Sequence, residues 1–196
     1  MIWFIKDMIF PDEQFKRKFS IFGLAMGGLV MGAYWYIGYM MMSGLGDQNP
    51  SPEKIFWCTW MFCLGVVLMM VADAQKTFTR NVRPGLITNG LFATTRNPNY
   101  LGEMLLYGSF AAMCGHQTAW IILISVWSTA FVILMAKKDL SLKRKDAWKA
   151  YGSQSWILLP KLVTSSTILS LAAYGAIGAV AWQVYNIGGL TVLLKA

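Results

Sequence analysis

The sequence has little charge, and acidic residues are the scarcer kind. Charged residues make up 13% of the 196-residue chain, with 9 Asp and Glu against 17 Lys and Arg, and 56% of the residues are hydrophobic. Ordinary soluble domains carry about 25% charged and about 45–50% apolar residues. The composition therefore excludes an ordinary soluble domain and predicts a polytopic membrane protein.

Cysteine and histidine are also scarce. Cys58, Cys63 and Cys114 all lie in apolar runs without a CxxC pair, and His116 is the single histidine. Zinc and disulfide frameworks need these residues at clustered, characteristic spacings. The sequence thus predicts no metal site, and the cysteines are interpreted as small apolar core residues. His116 is interpreted as a turn residue in a short connection.

The net charge of +8 could indicate a nucleic-acid partner, but the distribution of the charge argues against one. The basic residues collect beside apolar runs, with no nucleic-acid motif, and the positive-inside rule already explains basic residues in such places. We therefore predict no nucleic-acid binding. If five spans alternate, the basic residues near the N-terminus and in regions 76–96 and 137–161 share one side, the cytoplasmic or matrix side.

Long apolar runs are what the sequence has in abundance. A helix needs about 20 mostly apolar residues to cross a bilayer. The predicted fold is all-α, a polytopic membrane protein with about five transmembrane helices plus a short N-terminal and a basic interfacial helix. We predict a single membrane domain, divided into an interfacial segment 1–18, a helical core 19–160 and an additional C-terminal transmembrane helix 161–196. The predicted spans are 19–43, 55–72, 100–114, 118–136 and 164–194, and the predicted basic interfacial helix is 137–151.

A polar stretch interrupts these runs at residues 85–103, GLITNGLFATTRNPNYLGE. Irregular polar backbone at membrane depth is tolerated where it is buried in protein or lines a cavity, because lipid cannot satisfy its hydrogen bonds. Its last residue, Glu103, begins an apolar run, and an ionisable residue in such a run is a functional-site hypothesis by default. The stretch is therefore the predicted ligand site.

This stretch resembles the signature of the steroid 5-alpha-reductase C-terminal domain family, in particular its uncharacterised branch. More distantly it is similar to sterol reductases and to isoprenylcysteine and phospholipid methyltransferases. The resemblance covers residues 72–160 in four ordered blocks, ADAQK, the stretch itself, LYGSF, and KKDLSLKRKDAWKAYGSQSWILLP. It implies an NADPH cofactor, which Asp73 and Arg80 help to hold and whose nicotinamide end Asn99 and Glu103 contact.

The residue pattern adds further candidates to this site. Asn99 and Glu103 are four apart and share a helix face, with Tyr100 beside them, and Gly102 would permit close approach of backbone. Arginine and lysine can meet phosphates, arginine in bidentate geometry. The predicted cofactor-binding residues are Asp73, Arg80, Arg83, Arg96, Asn99, Tyr100 and Glu103, with Lys137 or Lys138 as a further phosphate contact.

Three functions remain open at this point. The resemblance implies a membrane-embedded NADPH-dependent reductase, an oxidoreductase of lipid metabolism acting on a CH–CH double bond of a sterol or other lipid. A catalytically inactive relative serving as an accessory subunit of a larger membrane complex, such as a mitochondrial one, is the alternative. It is motivated by the two spans that precede the motif, where the steroid enzymes have more, and by the missing proton donor. S-adenosylmethionine-dependent methyl transfer is disfavoured by Glu103.

Small residues on two predicted helices suggest contacts with other helices. Gly23, Gly27, Gly28 and Gly32 form GxxxG pairs, and the last helix carries Ala172, Gly175, Ala176 and Ala179. Such faces let a second helix approach closely, within this chain or in another membrane subunit. The lipid bilayer is the remaining predicted partner. The predicted location is the endoplasmic reticulum, the bacterial inner membrane or the mitochondrial inner membrane.

Overall fold

The computed structural model describes residues 5, 8–10, 20–83, 85–187 and 189, and these residues form helices joined by loops. Four of the helices are long and apolar enough to cross a membrane, and an isolated bridge pairs Thr95 with Trp156. In chain order the α-helices of this part of the chain are α1 (Ile21–Met42), α2 (Pro52–Val82), α3 (Pro98–Cys114), α4 (Gln117–Leu142), α5 (Trp148–Gln154) and α6 (Thr167–Asn186), and a short 3-10 helix, Gly90–Phe92, lies between α2 and α3.

The predicted all-α membrane fold is confirmed. Helices α1, α2, α4 and α6 are the four long apolar ones, and α3, with 17 residues, takes the place of the remaining predicted span. The second span is longer than predicted, because α2 continues through the polar residues 73–82 to a length of 31 residues. The predicted interfacial segment 1–18 lies almost entirely outside the described residues.

The C-terminal half of α1 joins the core of the molecule. Its buried residues, Tyr34, Ile37 and Met40, are spaced by three and pack in a cluster with residues of α3 and α4. This spacing puts them on one helix face. The N-terminal half of α1 is largely exposed, so the core holds this helix by one end.

Helices α2 and α3 approach each other closely at Gly65 and Gly102. A Cβ on Gly102 would lie 2.6 Å from the Gly65 carbonyl oxygen, and a Cβ on Gly65 would lie 2.5 Å from the Leu106 nitrogen. These distances are far below ordinary carbon contacts of about 3.5–4.0 Å. The two backbones therefore cross where neither helix has a side chain.

Helix α4 contains a π-helical segment, Trp127–Phe131. The Thr129 hydroxyl donates to the Ser125 carbonyl at 2.6 Å beside it. The Phe131 ring lies 5.0 Å from the Tyr100 ring of α3. Single π-helical turns within α-helices are frequent at functional sites, and this one directs an aromatic side chain at the motif helix.

Residues 137–151 differ from the single basic helix that the sequence predicts. Helix α4 runs on to Leu142, a turn follows, and α5 begins at Trp148. The physical reason is Arg96, which contacts Asp139 before the turn, and Trp148 and the Ser155 carbonyl after it. A straight helix could not place all three partners around one guanidinium.

Helix α6 is attached to the rest of the chain at both ends. Near its start, the buried Ser170 hydroxyl accepts from the Val163 nitrogen at 2.9 Å, and the Tyr174 hydroxyl donates to the Pro160 carbonyl at 2.8 Å. Beyond its end, a Cβ on Gly189 would lie 2.5 Å from the Glu53 carboxylate of α2. The helix was predicted to extend to residue 194, which lies outside the described residues.

The glycines predicted to form helix contacts face open space. A Cβ on Gly27, Gly28 or Gly32 of α1, or on Gly175 of α6, would have no neighbour within 4 Å. Packing against another described part of this chain is therefore wrong for these positions. Contact with another subunit stays a prediction.

The loops fall at two ends of the molecule. At one end, the Asp47 nitrogen donates to the Cys114 carbonyl at 2.7 Å, which joins the α1–α2 connection to the end of α3. At the other end, the Lys138 ammonium donates to the Arg96 carbonyl at 2.9 Å, which joins α4 to the motif loop. Successive loops therefore lie at alternate ends of the molecule, as the distribution of basic residues predicts. Which side of the membrane each end faces stays a prediction.

Candidate functional site

Gln75 of α2 holds the first part of the motif loop. Its Nε2 donates to the Asn89 carbonyl at 2.7 Å, and its Oε1 accepts from the Leu91 nitrogen at 3.0 Å. Gly90 between them has a φ of +57°, a conformation that glycine adopts readily. Sequence reasoning did not single out Gln75, although it lies in the ADAQK block.

The middle of the loop is bound to the segment that follows α5. The Thr95 hydroxyl donates to the Leu158 carbonyl at 2.6 Å, and the Asn97 Nδ2 donates to the Ile157 carbonyl at 2.7 Å. Backbone bonds run alongside, from the Arg96 nitrogen to the Trp156 carbonyl at 2.8 Å. The polar side chains of the motif thus donate hydrogen bonds to backbone carbonyls from much later in the chain. Buried carbonyls need such partners.

Arg96 is surrounded by groups of its own chain. Its Nε lies 2.7 Å from an Asp139 carboxylate oxygen, and its Nη1 donates to the Ser155 carbonyl at 2.7 Å. Its guanidinium carbon lies 5.2 Å from the centre of the Trp148 ring, a cation–π distance. The structure therefore gives this side chain a joining role, and its predicted contact with a cofactor phosphate stays a prediction.

A group of cations surrounds Lys138 beside the loop. The Lys138 ammonium lies 5.7 Å from the centre of the Phe92 ring. Lys76 and Arg80 of α2 lie near enough to act on it electrostatically, as do the acids Asp73 and Asp139. Asp73 is 3% exposed, and its carboxylate lies 3.7 Å from the Lys76 ammonium. Three basic side chains lie close to two acids here, and Asp139 already pairs with Arg96, so this group can attract an anion.

The two other arginines of the predicted site differ in exposure from Arg96. Arg80 lies on the last turn of α2 and is exposed. Arg83 follows α2 in an extended conformation and lines an open surface depression with Thr79 and Asn89. Both are accessible to a ligand approaching the loop from water.

The motif residues of α3 lie at increasing depth. The Asn99 Oδ1 atom is buried, and it has no hydrogen-bond partner among the described residues. The Tyr100 ring packs against Phe131, and Glu103 is 6% exposed and acts electrostatically on Tyr34 of α1. Asn99 therefore offers an acceptor at the loop end of α3, while Glu103 lies inside the helix bundle.

Gly102 serves a purpose different from the one the sequence suggests. The close backbone approach expected for a ligand is made instead by α2, at Gly65. The signal that could have revealed Gly65 is a glycine inside an apolar helix, since small residues mark close contacts between membrane helices.

Metal ligands are not grouped in the described part of the chain. No set of three or more His, Cys, Asp or Glu side chains there could hold an ion, and Cys58, Cys63 and Cys114 are free. His116 caps α4, where its Nδ1 accepts from the Thr118 nitrogen at 3.2 Å. The prediction that it lies in a short connection between two helices is confirmed.

A family profile matches most of the region just described. The profile belongs to a family described as "Protein of unknown function (DUF1295)", and it matches residues 36–156, more than half of the chain. No curated protein and no solved structure matches the chain. The matched region includes the α2–α3 crossing, the motif loop and the Arg96 contacts.

Proposed function

The chain belongs to the DUF1295 family, whose function is unknown, and we propose from its own residues that it is a membrane-embedded NADPH-dependent reductase. Its substrate would be a double bond of a sterol or other lipid. The observation that carries the proposal is the set of basic side chains beside the motif loop, in which Arg80 is exposed to water and Lys76 and Lys138 lie near it. The resemblance of residues 85–103 to the steroid 5-alpha-reductase C-terminal domain family supports it.

The residues at the loop fit the chemistry of this cofactor. NADPH carries phosphates, which lysine and arginine bind well, and a carboxamide, whose N–H groups need an acceptor. The buried Asn99 Oδ1, without a hydrogen-bond partner in the described part of the chain, is a suitable acceptor. When bound, NADPH supplies a hydride, and the residues of the chain hold and orient the cofactor.

The test is NADPH binding to purified protein in mild detergent. We expect saturable binding in the wild type and its loss in the Asn99→Ala/Glu103→Ala double variant. Asn49→Ala, in the exposed loop at the opposite end, is the control and should bind normally. A folded wild-type protein that does not bind NADPH would count decisively against the proposal, and binding of S-adenosylmethionine instead would favour methyl transfer.

A second candidate function is supported by a different observation. A Cβ on Gly27, Gly28 or Gly32 of α1, or on Gly175 of α6, would have no neighbour within 4 Å, and Arg96 contacts groups of its own chain. Both features suit an inactive relative that serves as an accessory subunit of a larger membrane complex, such as a mitochondrial one. Extraction from its native membrane in mild detergent would then give a high-mass assembly, and recovery of monomer alone would exclude this function.

A further inference from the structure

The structure contains an apolar groove that is separate from the motif loop. It lies between α1, α2 and α3 and has a volume of about 730 Å³, within the range of about 300–1,000 Å³ for small-molecule sites. Its walls carry the aromatic side chains of Trp35, Tyr39, Phe62 and Phe110, and no charged residue lines it. A charged ligand would lose its hydration here without compensation.

The groove runs along the exposed side of the C-terminal half of α1, as far as its last residue, Met42. Trp35 and Tyr39 on its rim are 76% and 59% exposed, and both lie within α1. Because α1 is one of the helices long and apolar enough to cross a membrane, these side chains face the bilayer. A ligand would therefore enter from the lipid.

The floor of the groove joins it to the motif helix. The Tyr34 and Tyr107 rings are stacked there with their centres 3.7 Å apart. Tyr34 is 4% exposed, and its hydroxyl makes no hydrogen bond of good geometry in the described part of the chain. The same tyrosine interacts with Glu103 and lies beside Trp127 of the π-helical segment. A ligand in the groove would thus contact Tyr34, the side chain on which Glu103 acts electrostatically.

We propose that this groove binds an uncharged lipid with a flat ring system, such as a sterol, that enters from the bilayer. Flat aromatic walls offer large contact areas to a ring system, and a rigid ligand loses less conformational freedom on binding than an acyl chain does. That this lipid is the substrate of a reductase rests on the proposed function, whereas its binding in the groove does not. The groove itself is defined by α1, α2 and α3 alone.

Gly38 allows a sharp test, because it lines the groove and a Cβ there would meet nothing within 4 Å. Gly38→Leu would occupy part of the groove, and its Cβ would not displace a packed neighbour. The matched control is Gly28→Leu on the same helix, where a Cβ also meets nothing within 4 Å. The probe is dehydroergosterol, whose binding in mild detergent is followed by energy transfer from protein tryptophan.

We expect Gly38→Leu to weaken dehydroergosterol binding at least about fivefold, as for overpacking of an occupied space. Gly28→Leu should stay within about twofold of the wild type. Equal binding by the wild type and Gly38→Leu would overturn the proposal, as would equal competition by phosphatidylcholine and unlabelled ergosterol. If Gly38→Leu does not fold, Phe110→Leu, which removes one aromatic wall, should weaken binding about threefold.

NADPH binding measured on the same samples separates the two proposals. Sterol binding without NADPH binding would leave the groove assignment standing and overturn the reductase. NADPH binding without sterol binding would leave the cofactor site standing and overturn the groove assignment.

Discussion

Arg96 of the motif loop and Asp139 of α4 form an ion pair, with Nε 2.7 Å from Oδ1 and each side chain 13% exposed. Removing one partner of such a pair leaves the other charge buried and uncompensated, which costs about 3 kcal/mol. We therefore expect Asp139→Asn to lower the free energy of unfolding in detergent by about 3 kcal/mol. Denaturant unfolding followed by circular dichroism measures this.

The matched control for this prediction is Asp146→Asn. Asp146 lies exposed in the turn between α4 and α5, where substitutions change stability by about 0.5 kcal/mol or less. Equal effects of the two substitutions would contradict a structural role for the Arg96–Asp139 pair.

The sequence singled out this loop as a polar stretch between apolar runs, but it did not predict the contacts within it. Glu103 and the polar stretch stood out because apolar runs surround them. The partners of Arg96 and Asn97, the carbonyls of Ser155 and Ile157, are 59 and 60 residues away. They are backbone groups, which every residue has, so no spacing of residue types could identify them.

The predicted helices were right where hydrophobic length decides and wrong where a tertiary contact decides. The spans now seen as α1 and α4 follow from their apolar runs. The break between α4 and α5 does not, because residues 137–151 have helical spacing and the contacts around Arg96 override it. The orientation of the small-residue faces was equally beyond the sequence, since a GxxxG pair gives no indication of which neighbour it meets.

The crossing at Gly65 and Gly102 gives a second prediction. A Cβ at Gly102 would lie 2.6 Å from both the Gly65 oxygen and the Met69 nitrogen, and backbone atoms cannot move away as a flexible side chain can. We expect Gly102→Ala to lower the free energy of unfolding by about 2–3 kcal/mol. Gly175→Ala, with nothing within 4 Å, should be neutral or stabilising by about 0.5–1 kcal/mol. Unfolding curves of both variants in the same detergent test this, and an unaffected Gly102→Ala would refute the close crossing.

The Tyr151 side chain of α5 makes the stability of the protein depend on pH in the alkaline range. Burial raises the pKa of its hydroxyl to about 12, although Arg96 and a hydrogen bond with Ser155 oppose the shift. Because the folded protein holds this proton more tightly than the unfolded chain, the contribution to stability is complete below about pH 10. It is lost as the pH rises through about 12.

The measurement is denaturant unfolding between pH 9 and 12. We expect the stability of Tyr151→Phe to fall less steeply across this interval than that of the wild type. Tyr39→Phe, at an exposed position on α1, is the control and should follow the wild type. Identical slopes for all three proteins would contradict the prediction.

The distribution of basic residues predicts which end of the molecule faces which side of the membrane. Lys76, Arg80 and Lys138 lie at the motif end, whereas Lys54 lies at the other end, where it pairs with Asp47. By the positive-inside rule the motif end faces the cytoplasm or matrix. Single cysteines test this in a variant that lacks Cys58, Cys63 and Cys114.

Gln48→Cys and Ser153→Cys are suitable reporters, because both positions are exposed and lie at opposite ends. In sealed cells or organelles, an impermeant maleimide should label residue 48 only, and residue 153 should react after permeabilisation. Labelling of residue 153 alone in intact membranes would reverse the predicted orientation.

Substitution of Arg80 tests cofactor binding at the proposed site without changing the stability of the fold. Its side chain is exposed on α2, so Arg80→Ala should change the free energy of unfolding by no more than about 0.5 kcal/mol. It also lies near Lys76 and Lys138, and losing one charge-assisted phosphate contact weakens binding by about tenfold. Titration of NADPH against the purified variant measures this, with Lys149→Ala, an exposed cation on α5, as the control. If both variants bind NADPH as tightly as the wild type, the phosphates do not lie at this group of cations, whatever the stability of the proteins.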